Sequence, residues 1–160
     1  MIFVTVGTHE QPFNRLVKAV DDLKANDSIH EDIFIQTGYS TYRPRFCEWT
    51  PFLSYVEMDQ KIKAASIVIS HGGPASFLTA MKLGVPVLIV PRQMKYGEHV
   101  NNHQLVFVKE LVSHGFVSEC IEDTDELSQK LQTISNHSEF QSHNQAFITE
   151  FNKIVGGLWE

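Results

Sequence analysis

The stretch from Ile67 to Gln104, IVISHGGPASFLTAMKLGVPVLIVPRQMKYGEHVNNHQ, restricts this chain more than any other. Ile67–Ser70 is a β-branched apolar run of the kind that forms a strand buried on both faces. His71-Gly72-Gly73 follows, and then Pro74, a residue suited to the first position of a helix because its missing N–H costs nothing there. Phe77, Leu78, Ala80 and Met81 recur at helical spacing, and Gly84 fits the stop after Leu83. Pro86–Pro91 is a second buried-strand run. Strand, glycine turn, helix and strand make one βαβ unit, which implies an α/β chain with a doubly wound parallel sheet of the Rossmann-like type.

The turn in that unit has what an anion needs. Gly72 and Gly73 let a ligand approach the backbone, and the helix start offers N–H groups and a positive dipole end. Ser76 adds a hydroxyl and His71 an imidazole. The alternative is a plain tight turn with Ser76 solvating a helix end. Earlier in the chain, Ile2–Val6 is a strand followed by Gly7-Thr8-His9-Glu10-Gln11-Pro12-Phe13. Gly7 and Thr8 would then lie at the carboxyl edge of the sheet beside His71, where two loops can share one pyrophosphate. His9 is read either as a phosphate contact or catalytic group, or as a surface-loop histidine. A strand that starts at residue 2 leaves no room for a preceding lobe.

Between these units, Phe13, Leu16, Val17 and Val20 form a helical stripe and Ile33–Gln36 a strand. Tyr39–Pro51 reads as irregular, with aromatic residues and arginines that either form a binding lip or pin the loop to the core. Phe52–Val56 reads as a short strand and Met58–Ala65 as a helix. After Pro91 a loop carries Arg92 and Lys95, cations able to offset phosphate charge; solvated loop positions are the alternative for both. The next helix, with Val100, Phe107, Val108, Leu111 and Val112 as its buried stripe, brings Glu98, Asn102 and Gln104 toward the cleft. A carboxylate with amides suits sugar hydroxyls, each of which donates and accepts. Phe116–Ile121 is expected as a last strand and Leu127–Ile134 as a helix, with a polar connection at Ser135–Ser142. An apolar stripe then runs from Phe140 to Leu158, ending in Trp159. All 160 residues read as one domain.

A net charge of −6 and a pI near 5.7 argue against general nucleic-acid binding. The two cysteines form no CxxC pattern and read as reduced thiols of a cytosolic protein. No apolar run approaches the roughly 20 residues of a membrane span. His99 and His103 lie four apart on one helix, but no third metal ligand accompanies them.

In order, His71-x-Gly73-x-x-Ser76, Thr79 and Gly84-Val85-Pro86 resemble the donor-sugar signature of two-lobed GT-B glycosyltransferases. Glu98-His99-x-x-Asn102 lies where those enzymes carry their sugar-binding pair. With GTHEQPF, SHGGPAS and VPRQMKYGEHVNNHQ together, the chain resembles the small catalytic subunit of two-component bacterial polysaccharide glycosyltransferases, within glycosyltransferase family 28. The resemblance covers about residues 1–120. It implies a lobe equivalent to the C-terminal donor-binding half of a GT-B enzyme, an inverting reaction and a UDP-sugar donor. No metal or other cofactor is implied. It also implies a lipid-linked saccharide acceptor and a membrane-anchored partner that supplies the acceptor lobe and holds the chain at the cytoplasmic face. One departure is Thr79, which stands where the broader signature has a ribose-binding glutamate. Donor binding is thus expected from Gly7, Thr8, His71, Gly72, Gly73, Ser76, Thr79, Arg92, Glu98, His99, Asn102 and Gln104, with His9 as the local candidate for a catalytic base. The Phe140–Leu158 stripe is expected either to dock the partner or to fold back on its own sheet, and a homodimer could bury the same face. The competing readings are a non-catalytic nucleotide-sugar-binding module that regulates a partner, and a nucleotide-sugar epimerase. The epimerase is disfavoured because such enzymes carry both lobes in one chain.

Overall fold

Short apolar runs separated by helical stripes give a layered α/β chain, and the computed structural model shows it. The structure describes residues 1–117, 119–136, 149, 152–154 and 156. Ile2–Thr5 (β1), Ile33–Gln36 (β2), Glu48–Thr50 (β3), Ile67–Ser70 (β4) and Val87–Ile89 (β5) pair in one parallel sheet, ordered β3-β2-β1-β4-β5. The chain winds outward from β1 to β3, returns to β4 beside β1, and continues to β5. The order therefore reverses between β1 and β4, whose register sets Thr5 opposite Ser70. Ligands of open α/β sheets bind at the carboxyl ends of the strands at such a reversal.

Alternation along the strands fills both faces. Ile2 and Val4 of β1 join Ile67 and Ile69 of β4 under helix α1 (Asn14–Ala25) and helix α5 (Leu127–Asn136). Phe3 and Val68 point the other way, against α2 (Tyr55–Ala64), α3 (Pro74–Lys82) and α4 (His103–Ser113), where Ile62, Phe77, Met81, Phe107 and Leu111 complete a second cluster. Helices on both faces explain why the strands read as continuous apolar runs. Pro74 opens α3, and Gly84 beyond its end has φ +72°, as the stop signal required.

Four expectations are corrected. Phe52–Val56 is not a strand: Ser54 caps α2 by accepting from the Glu57 N–H, while Glu57 accepts from the Ser54 N–H. That capping box overrides the aromatic and β-branched residues around it. A strand, β3, lies inside the stretch read as irregular. Phe116–Ile121 contributes one bridge, Ile89 to Cys120, rather than a strand. Val100 is not on a buried stripe; it is 68% exposed, because α4 begins only at His103. The polar connection at 135–142 and the stripe from Phe140 to Leu158 and Trp159 lie largely outside the described residues; Ile154, which is described, packs against the second core cluster.

The aromatic loop before β3 is held by one buried carboxylate. Asp21 of α1 accepts from the N–H groups of Arg45, Phe46 and Cys47 and from the Tyr42 hydroxyl, at 2.8–3.2 Å. Burial works to raise its pKa, but these hydrogen bonds, led by Arg45 and Phe46, outweigh it and leave it lowered. Asp21→Ala should lose about 2–4 kcal/mol of stability, because several backbone donors lose their partner at once. Urea denaturation checks this; a loss well under 1 kcal/mol would mean that water replaces the carboxylate.

Candidate functional site

The site starts from the β1–β4 register. Each strand ends in a glycine turn, and the two turns meet at one edge of the sheet. His71 fills the gap between them. A Cβ on Gly7 would stand 2.6 Å from His71 Nε2, and one on Gly73 closer still, so neither position has room for a side chain while the ring is there. Gly7 also has φ +76°, a left-handed conformation that further favours glycine. Gly72 (φ +96°) turns its Cα toward Val108 and Ile89 and seats the turn on α4 and β5.

His71 is 7% exposed, and its Nδ1 lies 3.3 Å from the Thr5 carbonyl oxygen. A carbonyl only accepts, so Nδ1 carries the proton and Nε2 is left as an acceptor on a neutral ring. Burial, then repulsion from Arg92, push the imidazole pKa down to about 4, against the raising effect of the Thr5 bond. The apo site therefore offers an anion a neutral imidazole and helix N–H groups rather than a histidine cation.

Above this floor lies a cleft of about 280 Å³, whose lining includes Gly7, Thr8, His71, Gly73 and Ser76, the expected residues that the fold does bring together. Ala75 and Ser76 present the first turn of α3 to it; the Ser76 N–H donates to the Gly73 carbonyl at 3.2 Å, while the Ala75 N–H has no carbonyl one turn earlier. Leu53, Met58, Ala75 and Ser76 continue the wall into an adjoining, mainly apolar pocket of about 190 Å³, with Thr79 and Asp59 in its lining. The Thr79 hydroxyl donates to the Ala75 carbonyl of its own helix. Leu53 and Met58 were not singled out in the sequence. Gln36 was not either, although a polar residue at the end of a buried strand that points to the carboxyl edge is a usable signal.

The loop between β5 and α4 departs from expectation. Arg92 is fully buried and donates to the carbonyls of Val6, Gln11 and Glu98, so it builds the loop and does not face a phosphate. Glu98, 3% exposed, has no oxygen turned to the cleft: Oε1 accepts from Arg15 Nε at 2.7 Å, and Oε2 from Arg15 Nη2 and the Gln93 N–H at 3.0 Å. Sequence gave no hint of Arg15, which also donates to the Pro91 and Glu122 carbonyls and stacks on Tyr96. Asn102 accepts from the Met94 N–H and holds the same loop. Gln104 accepts from the Arg92 N–H and stands beside Gly72, at the rear of the glycine turn.

His9 and His99, from the two loops, face each other with ring centroids 4.3 Å apart. Each accepts a backbone N–H at Nδ1, from Gln11 and Asn101 respectively, so each neutral ring carries its proton on Nε2 and offers a donor. Burial, with His9, Arg92 and His103 close by, lowers the His99 pKa. A donor at Nε2 suits contact with an anion; to take a proton, His9 must first release the Gln11 N–H. Among the described residues no three His, Cys, Asp or Glu side chains gather as a metal site.

A parallel sheet with helices on both faces and a cleft at its reversal point defines a Rossmann-like α/β lobe. Residues 1–156 match the glycosyltransferase family 28 C-terminal domain, and the chain belongs to that family. It is 30% identical over 128 residues to the human UDP-N-acetylglucosamine transferase subunit ALG13, covering 74% of this chain and 11% of that protein. The mouse protein of the same name is 29% identical over 130 residues, 74% of this chain and 10% of that one. The chain thus spans about a tenth of the length of these curated relatives. Among solved structures, spinosyn forosaminyltransferase SpnP superposes with TM-score 0.58 and 17% identity over 94% of this chain and 39% of its own. The glycotransferase of kitacinnamycin gives TM-score 0.54 and 14% identity over 98% and 38%. At these identities the likeness is one of fold, that of a GT-B glycosyltransferase lobe.

Two predictions follow from the site. His71 has a folded-state pKa below its unfolded value, so the unfolded chain binds more protons between them. Stability should fall as pH drops from about 6.5 to about 4, by about 3 kcal/mol over that window. His71→Asn should flatten that part of the curve in denaturation series; an unchanged slope would mean that the ring is solvated. For the loop, Glu98→Ala should cost about 3 kcal/mol, because it leaves the Arg15 guanidinium half-buried and unpaired. Arg15→Met combined with Glu98→Leu should cost less than the sum of the singles in a double-mutant cycle. Additive losses would mean that the ion pair is not coupled.

Proposed function

We propose that this chain is the donor-binding, catalytic subunit of an inverting glycosyltransferase that moves a hexose from a UDP-sugar to a polyprenyl diphosphate-linked saccharide. One observation carries the reading: the two glycine turns converge on one helix start at the reversal point of a family 28 lobe. In this reading the diphosphate lies over Gly7, Thr8, Gly73 and Ser76, and the nucleoside extends into the apolar pocket toward Leu53, Met58 and Thr79. The size order fits, with the larger cleft beside the turns and the smaller pocket beyond. Thr79 makes at most one contact to a ribose hydroxyl, so the base and its stacking surface carry more of the affinity. His9 and His99 donate from Nε2 to the anion and stabilise the departing UDP. The hexose lies toward Asn102.

A catalytic base for the acceptor hydroxyl is then needed from a second lobe. We assign that lobe to a membrane-anchored partner that brings this chain to the cytoplasmic face, in exopolysaccharide or capsule synthesis. Supporting it, large exposed apolar side chains lie on the segments that follow β2, β3 and β5 at the carboxyl edge of the sheet: Tyr39, Phe52, Tyr55, Met94, Tyr96 and Val100. Among the described residues no helix is long and apolar enough to cross a membrane. The relatives named as transferase subunits support a multi-subunit enzyme. The donor-type protonation of His9 also favours a second reading, a nucleotide-sugar-binding module whose partner does all the chemistry.

Calorimetry with UDP-N-acetylglucosamine and UDP-glucose, followed by transfer assays with and without the partner, separates these. The expected result is UDP-sugar binding by this chain, and turnover only with the partner that drops at least tenfold in His9→Ala. Binding with unaffected turnover in His9→Ala supports the module; no binding to any UDP-sugar, with or without the partner, contradicts both.

A further inference from the structure

We propose that Gln36 is a positioning residue of the donor cleft: it fixes the Gly7–Thr8 peptide so that the Thr8 N–H is aimed at the donor diphosphate. The assignment rests on reading the cleft as a nucleotide diphosphate site. Gln36 is the last residue of β2, 3% exposed, and its side chain forms part of the cleft floor. Its Oε1 accepts from the Thr5 hydroxyl at 2.7 Å and from the Gly7 N–H at 3.2 Å. Its Nε2 donates to the Gly7 carbonyl at 3.1 Å and to the Pro51 carbonyl at 2.8 Å. Two donors and two acceptors are the whole capacity of a primary amide, and all are used.

The consequence comes from peptide geometry. In a trans peptide the C=O and the following N–H point in opposite directions. Gln36 draws the Gly7 carbonyl to itself, so the Thr8 N–H of the same peptide unit points away from Gln36, and Thr8 itself borders the cleft. The Pro51 carbonyl is drawn in the same way, which sets the start of the segment that carries Leu53 into the cleft and the adjoining pocket. One side chain therefore ties the phosphate turn to the nucleoside wall. Glutamate cannot replace it when ionised, because a carboxylate would oppose the Gly7 and Pro51 carbonyls with no hydrogen between them. An apolar residue would leave the Gly7 carbonyl without this donor and the Gly7 N–H with only the 3.4 Å contact to the Thr5 hydroxyl, while the Pro51 carbonyl keeps the Gly38 N–H.

The test compares Gln36→Glu and Gln36→Met with Val20→Ala, a core substitution on α1 that lowers stability away from the cleft. UDP affinity is measured by calorimetry at pH 8 and pH 5.5, each variant as a ratio to the unsubstituted chain at the same pH, so that the titration of other groups cancels. The Gly7 and Thr8 amide signals are followed by ¹⁵N NMR during a titration with inorganic pyrophosphate. Both Gln36 variants should bind UDP at least tenfold more weakly at pH 8, while Val20→Ala binds normally. Gln36→Glu should recover at pH 5.5, where a protonated carboxyl regains one O–H donor, and Gln36→Met should not. The Thr8 amide should respond to pyrophosphate in the unsubstituted chain and lose that response in Gln36→Glu at pH 8. If Gln36→Met does not fold, the pH recovery of Gln36→Glu decides alone. Normal UDP affinity in the variants, or a Gln36→Glu deficit independent of pH, overturns the inference. If the unsubstituted chain binds pyrophosphate through Thr8 but not UDP, the donor reading fails and Gln36 keeps its role; if it binds neither, both fall.

Discussion

The parallel pairing of β1 with β4 is the constraint on which the rest depends. It fixes Thr5 beside Ser70, so the turns that follow emerge side by side, and His71 is wedged between two residues that must be glycine. The imidazole has little choice of state there: the Thr5 carbonyl takes its Nδ1 proton, and burial keeps it neutral. A ligand diphosphate would add negative charge beside that ring and so favour its protonation.

Charge in this molecule is divided between two jobs. The cleft is lined by glycine turns and a helix start rather than by charged side chains, in a chain of net charge −6. The strongest side-chain charges, Arg15, Arg92 and Glu98, are spent on the loop between β5 and α4, joined to one another and to five carbonyls of the surrounding chain. A loop of this length needs such anchoring if Gln104 is to stand beside the glycine turn in a fixed position. The buried ions buy that geometry against a large desolvation cost.

How far the sequence revealed this depends on range. Strand β2, strand β4 and the start of α3 were legible because their signals are local: an apolar run, a proline at the first helical position, a glycine at the stop. The meeting of the two glycine turns was legible because Gly7 and Gly73 follow closely on predicted strands. The roles of Arg92 and Glu98 were not, since a cation or a carboxylate in a loop looks the same whether it meets solvent, ligand or a partner 83 residues away, as Glu98 meets Arg15. Asp21 escaped for the same reason, and so did the partners of Gln36, although its place at the end of a strand was a visible signal. Their meaning lies in backbone groups of distant segments, which no periodicity reports.

The most direct test of the account is a crystal structure of the chain with UDP bound. The account predicts the diphosphate within hydrogen-bond distance of backbone N–H groups at Thr8 and the first turn of α3, with uracil against Leu53 and Met58 and the Arg15–Glu98 pair intact. UDP bound at another edge of the sheet, or a diphosphate held by Arg92 and Glu98 drawn out of the loop, would contradict it.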